Sequence, residues 1–136
     1  MYDSGYYYIC IIIDFIITNV LNVRLTKIIR LTQSKVVAGN EIDVRKIKRA
    51  FSSDLMSDVL TLDTEHILLI TGLANVQLVR TAEMADIEVV LLARNKKATP
   101  EMIELAKETG LVIMETPFSI FRASGILYSK GLEPVY

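Results

Sequence analysis

From His66 onwards, continuous apolar runs alternate with segments in which apolar residues recur every three or four positions. The runs have the length and composition of strands that are buried on both faces. They are His66–Thr71, Ile87–Ala93 and Leu111–Glu115. The segments with helical spacing are Asn75–Ala85, Pro100–Thr109 and Phe118–Lys130. Strands about 22 residues apart that alternate with helices predict right-handed βαβ units. We therefore expect a three-layer α/β domain, with helices on both faces of a mostly parallel sheet.

The chain before His66 predicts shorter and less regular elements. Apolar spacing favours a helix at Arg24–Gln33, and a candidate strand at Lys35–Ala38 ends at a Gly-Asn turn signal. A charged loop is expected at Glu41–Lys48, and a strand at Ile47–Ser52. The Ser-Ser-Asp sequence at 52–54 offers N-caps for a helix at Asp54–Leu60, since these side chains accept backbone N–H bonds.

The first 23 residues differ in composition from the rest of the chain. Sixteen of these 23 residues are apolar, including six Ile and four of the six Tyr. The other 113 residues are about 47% apolar, which is ordinary for a globular domain. We therefore expect residues 1–23 to be an atypical N-terminal extension and residues 24–136 to form the α/β domain.

Two interpretations of this extension stay open, and a membrane anchor or signal peptide is disfavoured. No Lys or Arg precedes Arg24, no small-residue cleavage motif is present, and Asp14 interrupts the apolar run. An Asp inside a bilayer costs about 2.5–3.5 kcal/mol. In the first interpretation, the Ile-rich stretch Tyr7–Ile13 is a strand that pairs with a sheet edge or a partner chain. In the second, residues 1–21 are not part of the natural protein, and translation starts near Leu21.

Charge and composition exclude several functions. The 15 basic and 16 acidic residues leave a net charge of −1, which argues against nucleic-acid binding by general electrostatics. One Cys and one His exclude a Cys/His zinc site and a disulfide within the chain. The six glycines form neither a P-loop nor a G-x-G-x-x-G motif. Cys10 and His66 are interpreted as packing residues, so we expect no catalytic residue, metal or cofactor.

Polar residues follow the predicted strands, and the carboxyl ends of parallel strands meet at one edge of a sheet. Gly72 permits close approach to the backbone, Arg94 can bind a phosphate or carboxylate, and helix N-termini after Gly72 and Thr116 would present N–H groups to an anion. The predicted ligand-binding set is Ser53, Asp54, Thr71, Gly72, Asn75, Arg94 and Thr116. The alternative, that these are ordinary capped loops, stays open.

Other charged and aromatic residues have simpler interpretations. Asp54 and Asp58 would share a helix face and could bind Mg²⁺, but Asp54 is more simply a first-turn residue. The basic run Arg45–Arg49 is interpreted as a solvated loop. Phe121 and Tyr128 lie seven residues apart on one helix face, which favours core packing or a dimer seam.

Three segments resemble the DRTGG domain: Ser53–Leu60, Ile70–Lys97 and Glu115–Leu132. The similarity covers roughly residues 22–132, but Lys46–Ala50 reads KIKRA where the family has its Asp-Arg-Thr-Gly-Gly string. The resemblance implies an α/β module attached to regulated enzymes. The DRTGG module is similar to the N-terminal domain of HPr kinase/phosphorylase. Related modules accompany phosphate acetyltransferases and CBS-containing pyrophosphatases. It also implies a cytoplasmic location.

We therefore expect a non-catalytic regulatory or sensing module that uses no cofactor. Its partner would be a small anionic ligand, either a nucleotide or a phosphorylated metabolite, or a partner enzyme, with no nucleic acid and no membrane. The regulatory role is inferred from the resemblance, and the anionic character of the ligand is inferred from the expected geometry at the sheet edge. The alternative is a homodimeric interaction module without a small-molecule ligand.

Overall fold

Helices and strands alternate through the computed structural model, which describes residues 4–21, 23–40 and 45–136. The helices are α1 (Ser4–Leu21), α2 (Leu25–Thr32), α3 (Met56–Val59), α4 (Val76–Met84), α5 (Pro100–Thr109) and α6 (Ile120–Ser129). The strands are β1 (Val23–Arg24), β2 (Lys35–Ala38), β3 (Lys46–Ile47), β4 (Arg49–Ser52), β5 (Ile67–Thr71), β6 (Val89–Leu92), β7 (Val112–Glu115) and β8 (Glu133–Pro134).

The main sheet has six strands in the order β2-β7-β6-β5-β4-β8. Strands β4 to β7 run parallel to one another, and β8 runs parallel to β4. Strand β2 is antiparallel to β7 at the opposite edge. A separate antiparallel pair, β1 and β3, sets Val23 opposite Ile47. The predicted mostly parallel α/β sheet is therefore confirmed.

Every side chain of the central strands β5 and β6 is buried, because helices cover both faces of the sheet. Successive residues of a strand point to opposite faces, so each strand supplies two apolar clusters. Leu68, Val89 and Val112 pack with α2 and α6 on one face. Leu69, Val90 and Ile113 pack with α3, α4 and α5 on the other. Helix–sheet–helix layering follows, and it leaves the carboxyl ends of β4, β5 and β6 side by side.

Two predicted elements before β5 are corrected by contacts that are remote in sequence. The strand expected at Ile47–Ser52 is divided at Lys48 into β3 and β4. The backbone N–H groups of Lys48 and Arg49 both donate to the His66 carbonyl, at 3.0 and 3.4 Å. This bend lets β3 pair with β1 while β4 joins the main sheet.

The helix predicted at Asp54–Leu60 begins two residues later than expected, so Asp54 and Asp58 do not share a helix face. Asp54 instead accepts the N–H of Gly72, which is remote in sequence, at 2.6 Å. The Ser53 hydroxyl accepts the Leu55 N–H at 3.0 Å, and Leu55 is the N-cap of α3. The interpretation of Asp54 as a first-turn residue of this helix is therefore wrong. Among the described residues, no group of three or more His, Cys, Asp or Glu is placed to hold a metal ion.

The strand predicted at Tyr7–Ile13 is wrong, because these residues lie in helix α1. An unpaired strand leaves its backbone N–H and C=O groups without partners, whereas a helix pairs them internally, and this outweighs the strand propensity of Ile. Residues 6–13 are exposed along this helix. No helix in the described part of the chain is long and apolar enough to cross a membrane. Residues 1–3, 22 and 41–44, which include part of the predicted extension and charged loop, lie outside the described residues.

Candidate ligand site at the carboxyl edge of the sheet

Four of the predicted ligand-binding residues meet where β4, β5 and β6 end. The Asp54 Oδ1 atom accepts the Gly72 backbone N–H at 2.6 Å and the Thr71 hydroxyl at 2.9 Å. Arg94 places Nη2 3.6 Å from Asp54 Oδ2 and 3.4 Å from the Gly72 carbonyl, to which it donates. These residues, Asp54, Thr71, Gly72 and Arg94, form what we call the edge cluster. The expected convergence of strand ends is present in the structure.

The Arg94 side chain packs directly against the backbone of Gly72. A Cβ atom at position 72 would overlap Nε and Nη2 of Arg94. The backbone of residue 72 is outside the left-handed region, so close approach rather than backbone conformation explains the glycine here. The Arg94 guanidinium can therefore lie over the end of β5 only if residue 72 has no side chain.

The turn after β6 directs Arg94 towards the edge cluster. Arg94 and Asn95 have φ values of 60° and 58°, in the left-handed region that side-chain-bearing residues rarely adopt. Two backbone bonds hold this turn: Arg94 N–H donates to the Phe118 carbonyl at 2.8 Å, and Asn95 N–H to the Thr116 carbonyl at 3.1 Å. Each such residue costs on the order of 1 kcal/mol. The turn is thus a strained conformation that other parts of the fold maintain.

The edge cluster surrounds the Asp54 carboxylate with groups that also bind external anions. A backbone N–H, a hydroxyl and a guanidinium contact its two oxygens. Both described contacts of the Arg94 guanidinium use Nη2, and its side chain is 50% exposed. Arginine carries five N–H donors. Within the described residues, no hydrogen bond uses Nε or Nη1; Nε packs against Gly72, so Nη1 is the donor that remains for a phosphate or carboxylate oxygen.

The other three predicted site residues act within the fold. The Asn75 side chain accepts the Leu78 N–H at 3.1 Å as the N-cap of α4. The Ser53 hydroxyl serves the turn before α3. Thr116 is buried, and its hydroxyl donates to the Thr32 carbonyl at 2.6 Å. The structure does not bring these side chains into the edge cluster.

Two backbone N–H groups that precede the helices at this edge are bonded within the fold. The Gly72 N–H is bonded to Asp54, and the Phe118 N–H donates to the Thr116 hydroxyl at 3.2 Å. Helix α6 itself begins later than expected, with Ser119 as its N-cap. The anion site at the N-termini of the helices after Gly72 and Thr116 therefore stays a prediction, and Arg94 is the cationic group that the structure places at this edge.

A groove between β4, α6 and the last residues of the described chain was not expected from the sequence. Its volume is about 400 Å³, and its walls include Phe51, Ile70, Phe121, Tyr128 and Tyr136. Phe121 and Tyr128 are 89% and 69% exposed, so they do not pack in the core, and the alternative of a dimer seam stays a prediction. Their helical spacing was a usable signal, but the opposite wall depends on β8 returning beside β4, which no local pattern shows.

Replacing Gly72 with Ala tests whether Arg94 is held by this close approach. We expect the Gly72→Ala variant to displace the Arg94 side chain and to lose less than about 1 kcal/mol of stability, since the overlapping atoms belong to a flexible side chain. Urea unfolding measures the stability. NMR of the guanidinium Nε–H reports its environment, with Arg94→Ala assigning the signal. An unchanged Nε–H signal would contradict the placement.

Sequence comparison identifies no relative of the chain: no family model and no curated protein matches it. A comparison of structures does find a similar fold. One similar structure contains the CBS and DRTGG domains of the regulatory region of Clostridium perfringens pyrophosphatase, complexed with the activator diadenosine tetraphosphate. The TM-score is 0.66 at 18% sequence identity, and the match covers 82% of this chain and 48% of that one.

This match establishes the fold of the chain, because similarity at 18% identity does not by itself carry function. The chain spans about half the length of the structure it matches. A fold shared with a CBS- and DRTGG-containing regulatory region supports the DRTGG part of the resemblance seen in the sequence. The resemblance to HPr kinase/phosphorylase stays a prediction.

Proposed function

We propose that this chain is a non-catalytic regulatory module of the DRTGG type, formed by residues 24–136, that binds a small anionic ligand at the edge cluster. The observation that carries the proposal is the half-exposed Arg94 side chain, held over Gly72 with Nη1 in no hydrogen bond of the described residues. The shared fold adds support, since the similar regulatory region was crystallised with an activator that contains four phosphates. A partner enzyme would then recognise the ligand-bound form of the module.

Binding at Arg94 would reach three loops at once. Asp54, Gly72 and Arg94 follow three different strands, and each is bonded to at least one of the others. A phosphate that draws the Arg94 guanidinium outward weakens its contacts with Asp54 and Gly72. The loops after β4, β5 and β6 then shift together, which changes the surface offered to a partner.

The test is the binding of inorganic pyrophosphate to the full chain by isothermal titration calorimetry. We expect Arg94→Ala to weaken binding at least about tenfold, because a hydrogen bond to a charged group contributes about 1.5–3 kcal/mol. Arg80→Ala is the matched control, because Arg80 is exposed on α4 and its loss changes the net charge equally. We expect that control to change binding less than about twofold.

Two results would contradict the proposal. One is a wild-type chain that binds no pyrophosphate at millimolar concentration. The other is equal weakening by Arg94→Ala and Arg80→Ala, which would show only a general effect of net charge. Circular dichroism of each variant checks that the fold is retained.

A further inference from the structure

The groove beside the edge cluster has features that the anion site does not use. Helix α6 places Phe121, Ser124, Gly125 and Tyr128 along it, at the spacing of one helix face. The opposite side includes Phe51, whose side chain packs against the cluster on the other face of the sheet, and Tyr136, whose ring centroid lies 6.0 Å from that of Phe51. Three of these four aromatic side chains are more than two-thirds exposed. The groove thus presents aromatic surface that nothing in the described chain covers.

Gly125 widens this groove without serving the packing of the fold. Glycine in a helix interior is less stable than alanine, because it loses more backbone freedom on folding. A Cβ atom at position 125 would meet nothing within 4 Å, so close packing does not require glycine. Its φ also lies outside the left-handed region. The remaining consequence of this glycine is a recess in the wall of the groove.

Two hydroxyl groups place a polar spot on the otherwise apolar wall. The Oγ atoms of Ser52 and Ser124 lie 2.8 Å apart, within hydrogen-bonding distance. A hydroxyl donates one bond and accepts two, so this pair keeps one donor and several lone pairs for a third group. An apolar cleft of a few hundred Å³ with a few polar groups is the usual form of a small-molecule site.

We propose that the groove binds a planar heteroaromatic ring with hydrogen-bonding edge groups, such as a nucleobase. The ring would stack on the aromatic walls, fill the recess at Gly125 and bond at its edge to the Ser52 and Ser124 hydroxyls. A small flat ring uses the recess, the two hydroxyls and the exposed aromatic rings together. The occupant is therefore a small flat ring rather than a second copy of the chain.

The groove and the edge cluster lie close enough for one ligand to reach both. Ser52 precedes Asp54 by two residues, which span at most about 7 Å of backbone. Ile70 lines the groove, and the next residue, Thr71, bonds to Asp54. A nucleotide can therefore place its base in the groove and its phosphates at Arg94. This linkage rests on the proposed function, whereas ring binding does not.

The test compares three probes on the full chain: adenosine, inorganic pyrophosphate and ADP. A Gly125→Leu variant fills the recess with a good helix former, and Gly125→Ala is its matched control. We expect Gly125→Leu to weaken adenosine and ADP binding at least about tenfold and to leave pyrophosphate binding unchanged. The Gly125→Ala variant should bind all three probes as the wild type does, with Tm raised by about 4 °C. Unchanged ADP binding by Gly125→Leu would overturn the inference.

The Arg94→Ala variant separates this inference from the proposed function. If Arg94→Ala loses pyrophosphate binding while Gly125→Leu leaves ADP binding unchanged, the anion site is supported and ring binding in the groove is contradicted. If adenosine binding depends on position 125 and pyrophosphate binding does not depend on Arg94, ring binding in the groove is supported and the anion site is contradicted. Light scattering adds one outcome: a dimer that Gly125→Leu dissociates, without adenosine binding, would assign the groove to a second copy and overturn ring binding.

Discussion

A Gly39→Ala variant is expected to lose about 2–4 kcal/mol of its free energy of unfolding. Gly39 follows β2 with a φ of 89°, where an alanine costs on the order of 1 kcal/mol in backbone strain. Its Cβ would also lie 2.7 Å from Cγ2 and 3.1 Å from Cα of Val112, in the neighbouring strand β7. Backbone cannot yield as a side chain does, so overpacking adds about 1–3 kcal/mol.

Gly110→Ala is the matched control for this experiment. Gly110 ends α5 with a φ of 76°, and a Cβ there would meet nothing within 4 Å. Its replacement therefore measures backbone strain alone, about 1 kcal/mol. Urea unfolding followed by circular dichroism gives both values. Equal losses in Gly39→Ala and Gly110→Ala would show that the contact with Val112 contributes nothing.

The central strands could be predicted from the sequence because burial on both faces leaves a direct pattern. Residues 67–71 and 89–92 are buried throughout, and a segment buried on both sides must be continuously apolar. Helix α5 could be placed to the residue because its signals are local: Thr99 caps it, Pro100 begins it and Gly110 ends it. Each of these features acts within a few residues of the element that it defines.

The elements before β5 could not be predicted as well, because remote partners decide them. The division between β3 and β4 depends on the His66 carbonyl, which accepts the N–H groups of Lys48 and Arg49. The start of α3 depends on Asp54 turning towards Gly72 rather than into the helix. Local periodicity carries no information about either contact.

The candidate site could be located from the sequence, but its contacts could not. Strand ends indicated the edge, since parallel strands bring their carboxyl ends together. The left-handed turn that directs Arg94 has no sequence signal at that position, because arginine rarely adopts it. That an internal carboxylate, Asp54, would bond the Gly72 N–H follows only from the three-dimensional fold. The sequence therefore indicated the edge and Arg94, but not the contacts that hold the Arg94 side chain there.

A Thr116→Val variant is expected to lose about 2–6 kcal/mol of stability. Thr116 is 1% exposed, and its hydroxyl joins three elements by donating to the Thr32 carbonyl at 2.6 Å and accepting the Phe118 N–H at 3.2 Å. Valine has nearly the same shape but leaves a buried acceptor and a buried donor unpaired, each at about 1–3 kcal/mol. Urea unfolding measures the loss.

Thr116→Ser is the control that separates the hydroxyl from the methyl group. Serine keeps both hydrogen bonds and loses one buried methyl, so we expect it to cost about 1 kcal/mol. Pyrophosphate affinity of Thr116→Ser should stay within about twofold of the wild type, because Thr116 faces Thr32 inside the fold rather than the edge cluster. If Thr116→Ser retained its stability but lost pyrophosphate binding, Thr116 would contact the ligand, and the site would extend from Arg94 towards β7.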